Sequence, residues 1–253
     1  MPLLEVDKLG ITFGGLRALD DVRLTIHDRE IIGLIGPNGA GKTTVFNLLT
    51  NVYLPTTGSI ELEGISIVGK KSYEIIKHGI ARTFQNIRLF KDISVIDNIR
   101  IGSHNQARYS VLAGILRLPS YWREEQRMTD EAMDLLKMFN MESHANDRAG
   151  SLPYGMQRKL EICRALATKP KLLLLDEPAA GMNPTETMEL MHTIRFIRDK
   201  FQISILLIEH DMSLVMELCE RLIVLDYGLI IATGTPEEIK QDPKVIGAYL
   251  GGN

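Results

Sequence analysis

Residues Gly36 to Thr44 read GPNGAGKTT, and their types and spacing suit the handling of phosphate. Gly36, Gly41, Lys42 and Thr43 fill the pattern G-x-x-x-x-G-K-T, with Pro37, Asn38, Gly39 and Ala40 inside the loop and Thr44 after it. Glycines let a backbone close tightly around an anion, so that successive N–H groups point at it. The positive end of a following helix adds to the attraction. Lys42 can reach β- and γ-phosphates, and the Thr43 hydroxyl can ligate Mg²⁺. The pattern specifies this chemistry when a strand leads in and a helix leads out. Here the apolar run from Ile31 to Ile35 precedes it, and Val45-Phe46-Asn47-Leu48-Leu49 follows. The chain is expected to bind a nucleoside triphosphate.

A second group supplies what hydrolysis requires. The run 172–175 is apolar and ends in Asp176-Glu177. A carboxylate at that strand tip would hold Mg²⁺ beside the phosphates, and Glu177 is the natural general base for an attacking water. The run from Ile203 to Ile208 ends in Glu209-His210-Asp211. There His210 either hydrogen-bonds the γ-phosphate and orients the water, or sits in a polar surface turn; the first is expected. Gln85 closes the run from Ile80 to Phe84, where its amide could reach Mg²⁺ or water. Phe13 is either a core aromatic or a platform for an adenine ring.

These residues require elements to position them. Residues 3–9, 22–27 and 59–64 alternate apolar and polar side chains, the period of antiparallel strands with one wetted face. The runs 171–175 and 203–208 are apolar but for Lys171 and Ser204, as in a parallel sheet buried on both faces. Helices are expected over 72–79, 160–167, 184–200 (N-capped by Asn183, with Pro184 at its first position) and 212–219, with a hairpin at Tyr227-Gly228. From about residue 87 to 150 strand signals vanish. A helix is expected from Thr129-Asp130, with Ala132, Leu135, Leu136 and Phe139 on one face. Residues 109–122 (YSVLAGILRLPSYW) are apolar for a connection; they are either a loop tucked onto this lobe, which is expected, or a contact surface for a partner or membrane.

The totals agree with this organisation. A chain of 253 residues with 45% apolar residues and a mean hydropathy of zero has the size of one large α/β domain, with or without an appended lobe. A net charge of −3 offers no whole-chain attraction for nucleic acid, and none is expected as a partner. Cys163 and Cys219 lie far apart with no C-x-x-C spacing, and Cys163 is expected as a buried structural thiol. No apolar run reaches the length of a membrane span, and the N-terminus lacks the pattern of a secretory signal.

In order, the phosphate loop, Gln85, a helical lobe, Leu152-Pro153-Tyr154-Gly155-Met156-Gln157-Arg158, Asp176-Glu177 and His210 resemble the ATPase domains of ABC transporters. More narrowly, ITFGGLRAL, ARTFQNIRLF, LDEPAAGMNP, LLIEHDM and the ending GTPEEIKQDPKVIGAYLG are similar to the LivG-type ATPases of branched-chain amino acid importers. The resemblance implies an α/β P-loop NTPase core with an antiparallel β subdomain (1–86 and 151–253) and an inserted helical subdomain (87–150). It implies ATP and Mg²⁺ as cofactors, with Thr43, Gln85 and Asp176 serving the metal. It implies a head-to-tail pair with a second ATPase subunit, in which residues 152–157, Tyr154 and Gly155 among them, face the partner's ATP. Two multi-spanning membrane subunits at the cytoplasmic face of the inner membrane would receive the motion, with Leu89 and Phe90 as contact or core residues, and a substrate-binding protein would act indirectly. The rival readings are an importer of urea or short amides, a lipid or lipopolysaccharide exporter, and a soluble ABC-type ATPase acting on ribosomes or DNA. Two departures stand out. The commonest signature, Leu-Ser-Gly-Gly-Gln, has Pro153 for serine and Met156 for glutamine here, and Asn183 takes the place of an aspartate.

Overall fold

The protein is represented by a computed structural model that describes residues 1–107 and 109–250; Gly251, the last residue of the similar ending, lies outside them. The chain divides into two compact units, one formed by Met1–Gln85 with the chain from Lys171 onward, the other by Asn86–Pro170.

In the first unit the elements are β1 (Leu4–Phe13), β2 (Leu16–Ile26), β3 (Ile31–Ile35), α1 (Lys42–Leu49), β4 (Thr57–Leu62), β5 (Ile65–Ser66), α2 (Ser72–His78) and β6 (Ile80–Arg82). The second unit holds α3 (Val95–Ser103), α4 (Val111–Ile115), α5 (Pro119–Met138) and α6 (Tyr154–Leu166). The first unit resumes with β7 (Leu172–Asp176), α7 (Pro184–Phe201), β8 (Ser204–Ile208), α8 (Met212–Leu218), β9 (Arg221–Asp226), β10 (Leu229–Gly234), α9 (Pro236–Gln241) and α10 (Pro243–Leu250).

Two sheets form the first unit. The antiparallel one runs β2-β1-β4-β5. Its register pairs Leu4 with Ile26 and Leu62, and Val6 with Leu24 and Ile60, so the alternating apolar residues share one buried face. The other sheet runs β10-β9-β3-β8-β7-β6. Its strands β9, β3, β8, β7 and β6 are parallel, and β10 pairs antiparallel at the edge. Every residue of β3, β7 and β8 is buried, which is why these strands are apolar but for Ser204 at the start of β8 and Asp176 at the tip of β7. Their carboxyl ends deliver Gly36, Asp176-Glu177 and Glu209-His210 to one edge, the edge where open α/β sheets bind ligands. The N-cap of α7 forms as predicted: Asn183 Oδ1 accepts from Glu186 N–H, and the Glu186 carboxylate accepts from Asn183 N–H.

In the second unit the elements differ in extent from those expected. Helix α5 begins at Pro119, ten residues before Thr129, because Pro119 suits a first helical turn and Arg127 braces both neighbouring turns through Glu124 (2.7 Å) and Glu131 (2.5 Å). Met128, Ala132, Leu135 and Leu136 form its buried face. The unit also extends past residue 150 to include α6, which packs on α3. A Cβ on Gly102 of α3 would lie 2.5 Å from the Arg164 carbonyl oxygen, so the helices meet backbone to backbone. Cys163 is fully buried in α6, and burial pushes its thiol pKa up. No helix among the described residues is long and apolar enough to cross a membrane.

Candidate nucleotide site

Strand β3 feeds the phosphate loop through Gly36, whose φ is 148°. A Cβ there would sit 1.9 Å from the Leu225 carbonyl oxygen at the end of β9, so only glycine lets the loop leave the sheet at this point. The loop closes with Ala40 N–H donating to Pro37 O (3.2 Å), and Gly228 N–H donating to Ala40 O (2.9 Å) fastens it to the β9–β10 turn. Helix α1 begins directly at Lys42. Lys42 Nζ folds back across the loop and donates to the carbonyls of Gly36 (2.6 Å) and Pro37 (2.9 Å). Burial lowers its pKa, partly offset by the Glu177 charge.

This ammonium fits a phosphate. It uses two of its three donors on neutral carbonyls, and among the described residues no carboxylate forms an ion pair with it. Thr43 stands exposed at the start of the same helix. Among the described residues no three His, Cys, Asp or Glu side chains converge as a metal cage. The oxygen donors Thr43, Gln85 and Asp176 are instead of the kind Mg²⁺ takes when phosphates and water complete its shell.

Three predicted catalytic residues are in direct contact. Glu177 Oε2 accepts from Gln85 Nε2 (2.7 Å), and Glu177 Oε1 lies 2.9 Å from His210 Nε2. The Glu177 backbone has φ 47°, sparsely populated for a residue with a side chain, while its N–H donates to Ile208 O (2.9 Å). The ladder between β7 and β8 thus fixes the main chain as the carboxylate turns toward Gln85 and His210. A carboxylate has about four lone-pair sites, so two remain to receive a proton.

Sequence reasoning missed three supporting residues. Glu209 is buried, and its oxygens accept from Ala179 N–H (2.7 Å) and His210 N–H (3.2 Å), joining the tip of β8 to the turn after β7. Burial raises its pKa. Arg82 Nη2 donates to Asp176 Oδ2 and Nη1 to Asn47 Oδ1 (2.7 Å), while its guanidinium lies 5.4 Å from the Phe46 ring centroid and 5.0 Å from that of Phe84. The only signal for Arg82 and Asn47 was an arginine within an apolar strand and an asparagine on the first helix; for Glu209 it was a carboxylate preceding His210.

The other predicted residues are placed as follows. Phe13 is exposed at the end of β1, edge-on to Tyr53 with centroids 5.1 Å apart, so it is not a core aromatic. Tyr154 and Gly155 belong to the second unit, in the first turn of α6. Tyr154 Oη accepts from Arg158 Nη2 (3.4 Å), and Arg158 forms a fully buried ion pair with Glu161 (2.9 Å). Pro153 caps α6 without a side-chain hydrogen bond. Phe90 is exposed in the same unit, with its N–H donating to Asn98 Oδ1 (3.0 Å), so plain core packing does not describe it.

The family described as "ABC transporter" matches residues 19–180, and "Branched-chain amino acid ATP-binding cassette transporter" matches residues 230–253. The chain is 47% identical over 250 residues to the high-affinity branched-chain amino acid transport ATP-binding protein LivG of Escherichia coli K12, and 45% identical to its counterpart BraF of Pseudomonas aeruginosa. Each alignment covers 99% of this chain and 98% of the relative. Among solved structures, the ADP conformation of MJ1267, an ATP-binding cassette of an ABC transporter, superposes with a TM-score of 0.86 at 30% identity, covering 99% of both chains.

Proposed function

The chain belongs to the ATP-binding subunits of ABC transporters, and from that premise we propose that it powers the import of the branched-chain amino acids leucine, isoleucine and valine. It is an ATPase coupled to transport. The hydrolytic reading is carried by one observation, the Glu177 carboxylate held between Gln85 and His210. The cargo reading is supported by likeness to importer subunits along nearly the whole chain.

The residues divide the work by their chemistry. Lys42 and the loop amides from Gly36 to Thr44 bind and orient the phosphates. Phe13, exposed at the end of β1, offers its ring to the adenine. Glu177 takes the proton of the attacking water, and His210 holds that water and the γ-phosphate in line. Thr43, Gln85 and Asp176 would hold Mg²⁺, which would supply neutralisation of the charge developing on the phosphate oxygens. Tyr154 and Gly155 serve the ATP of a second ATPase subunit, paired head to tail. Two multi-spanning membrane subunits at the cytoplasmic face of the inner membrane receive the closing motion, and a substrate-binding protein loads them.

The test is purification of the complex from detergent-solubilised membranes, followed by ATPase measurement in proteoliposomes. Two distinct multi-spanning subunits, a second ATPase and stimulation by leucine with its binding protein are expected. Robust ATP hydrolysis without stimulation by any branched-chain amino acid assigns a different cargo.

A further inference from the structure

The helical unit carries an apolar surface that its own packing does not use. Ile115 is 73% exposed, Leu112 63%, Leu116 59% and Trp122 57%, and these four are the most exposed large apolar side chains among the described residues of the unit. Leu118, between them, is exposed as well. Isolated exposed apolar residues are ordinary, but five within eleven residues form a patch of the kind that marks an interaction site. They lie on α4, the connection that follows it and the first turn of α5, so the stretch predicted to be a tucked loop is instead largely helical and presents exposed apolar side chains.

The segment is braced from below. Ala113 is buried, and Leu118 N–H donates to Ala113 O (3.0 Å), closing the turn between the two helices. Tyr109 and Tyr121 meet edge-on at 5.2 Å, and Tyr121 meets Trp122 at 5.3 Å. Tyr109 Oη donates to Glu125 Oε1 (3.2 Å), anchoring this aromatic row to α5.

The charge around the patch indicates what covers it. From Asn98 to Arg123 the sequence contains no aspartate or glutamate, but it does contain Arg100, Arg108, Arg117 and Arg123. Arg117 and Arg123 are exposed at the patch. The first acidic residues after it, Glu124 and Glu125, are turned inward to ion pairs with Arg127 (2.7 Å) and Arg100 (2.5 Å), which also hold Glu131 and Asp97. The surface therefore combines branched apolar side chains, a tryptophan with neighbouring tyrosines, and cations. That composition suits the boundary between headgroups and acyl chains, where aromatic rings span the polarity gradient and arginines reach anionic headgroups.

We propose that the α4–α5 face, built on Leu112, Ile115, Leu116, Leu118 and Trp122 and rimmed by Arg117 and Arg123, is a lipid-contact surface that seats on an anionic bilayer. The inference takes from the preceding reading only that the chain works beside a membrane; it is independent of the cargo.

Trp122 is the only tryptophan in the chain, so its fluorescence reports on this surface directly. The purified full chain is titrated with vesicles of phosphatidylcholine alone or mixed with phosphatidylglycerol. Binding is measured by flotation, and Trp122 emission is recorded with and without brominated acyl chains. Expected are co-flotation with the anionic vesicles, a blue shift of Trp122 and its quenching by bromine. Combining Leu112→Ser, Ile115→Ser and Leu116→Ser lowers the partition coefficient by at least about tenfold. Arg117→Glu and Arg123→Glu each lower it about fivefold on anionic vesicles, with little change on neutral ones. Because these side chains are exposed, the variants retain the wild-type thermal unfolding midpoint and nucleotide binding. The proposal is overturned if the wild type fails to float with anionic vesicles, if Trp122 emission does not respond, or if the serine variant binds as the wild type does. Failure to bind vesicles, combined with loss of the membrane subunits from the serine variant's complex, overturns it in favour of a protein contact. Import assayed separately tests the cargo reading whichever way the vesicle experiment falls.

Discussion

Arg82 Nη2 donates to Asp176 Oδ2 at 2.6 Å, with the two side chains only 6% and 5% exposed, so the carboxylate at the tip of β7 meets a cation of its own chain. The other arm of the guanidinium reaches Asn47 on α1. One planar fork therefore ties the helix behind the phosphate loop to the strand that leads to Asp176 and Glu177. Removing the arginine leaves a buried carboxylate unpaired. Arg82→Met is expected to lower unfolding stability by about 3–5 kcal/mol, read from urea titration. Arg82→Lys places a single point charge where two directions are needed and recovers only part of the loss.

Glu177→Gln keeps the shape of the side chain but removes the proton acceptor. ATP binding is expected to persist while hydrolysis falls by roughly 10²–10⁴-fold, the usual contribution of a general base. Bound nucleotide analysed after single-turnover mixing should be ATP rather than ADP. A rate within a few-fold of wild type would remove Glu177 from this role.

Gly36→Ala forces a methyl group onto the Leu225 carbonyl oxygen, 1.9 Å away in the present geometry. The loop and the end of β9 cannot both remain in place. Loss of binding to a fluorescent ATP analogue is expected together with a lower melting temperature. The neighbouring Pro37→Ala substitution, which adds no such collision, serves as the comparison.

At the opposite end of β3, Glu30 receives Arg221 through both oxygens, at 2.6 and 3.0 Å. Burial pushes the Glu30 pKa up, but the Arg221 hydrogen bond and charge and the His27 N–H outweigh it and leave the carboxyl below its usual value. A carboxyl whose folded pKa is depressed contributes stability above its unfolded value of about 4.3, and that stability is lost as pH falls through the folded pKa. Arg221→Met is therefore expected to move the acid-unfolding midpoint, followed by circular dichroism, to higher pH. An unchanged midpoint would show that Glu30 gains nothing from its partner.

Pro153 at the start of α6 has neither a hydroxyl nor an N–H to offer. If it weakens the contribution of this subunit to its partner's ATP, Pro153→Ser in the assembled transporter raises ATP affinity and turnover. Unchanged kinetics would show that backbone approach at Gly155 suffices.

Elements governed by local pattern were legible in the sequence. The alternation of β1, β2 and β4, the apolar β3, β7 and β8, and the capping box of α7 each follow from residues near one another in the chain. The loop motif led to Lys42, and the strand tips to Glu177 and His210. Residues whose role depends on a partner far away were not legible. Arg82 acquires its meaning from Asp176 and Asn47, and an arginine within a short apolar strand names neither partner. Phe13 could not be assigned because burial depends on what packs over the end of β1. The start of α5 was obscured because its first turns are carried by Pro119 and arginine–glutamate pairs instead of the apolar stripe that begins at Met128.

The placement of β3 has a consequence for synthesis. Its two neighbours in the sheet, β8 and β9, come from the last quarter of the chain, and the carbonyl that seats against Gly36 belongs to residue 225. A nascent chain that has displayed the whole motif from Gly36 to Thr44 still lacks both walls of its cradle until translation has passed β9. The motif is made well before the strands that wall it, so nucleotide binding reports that translation has passed β9.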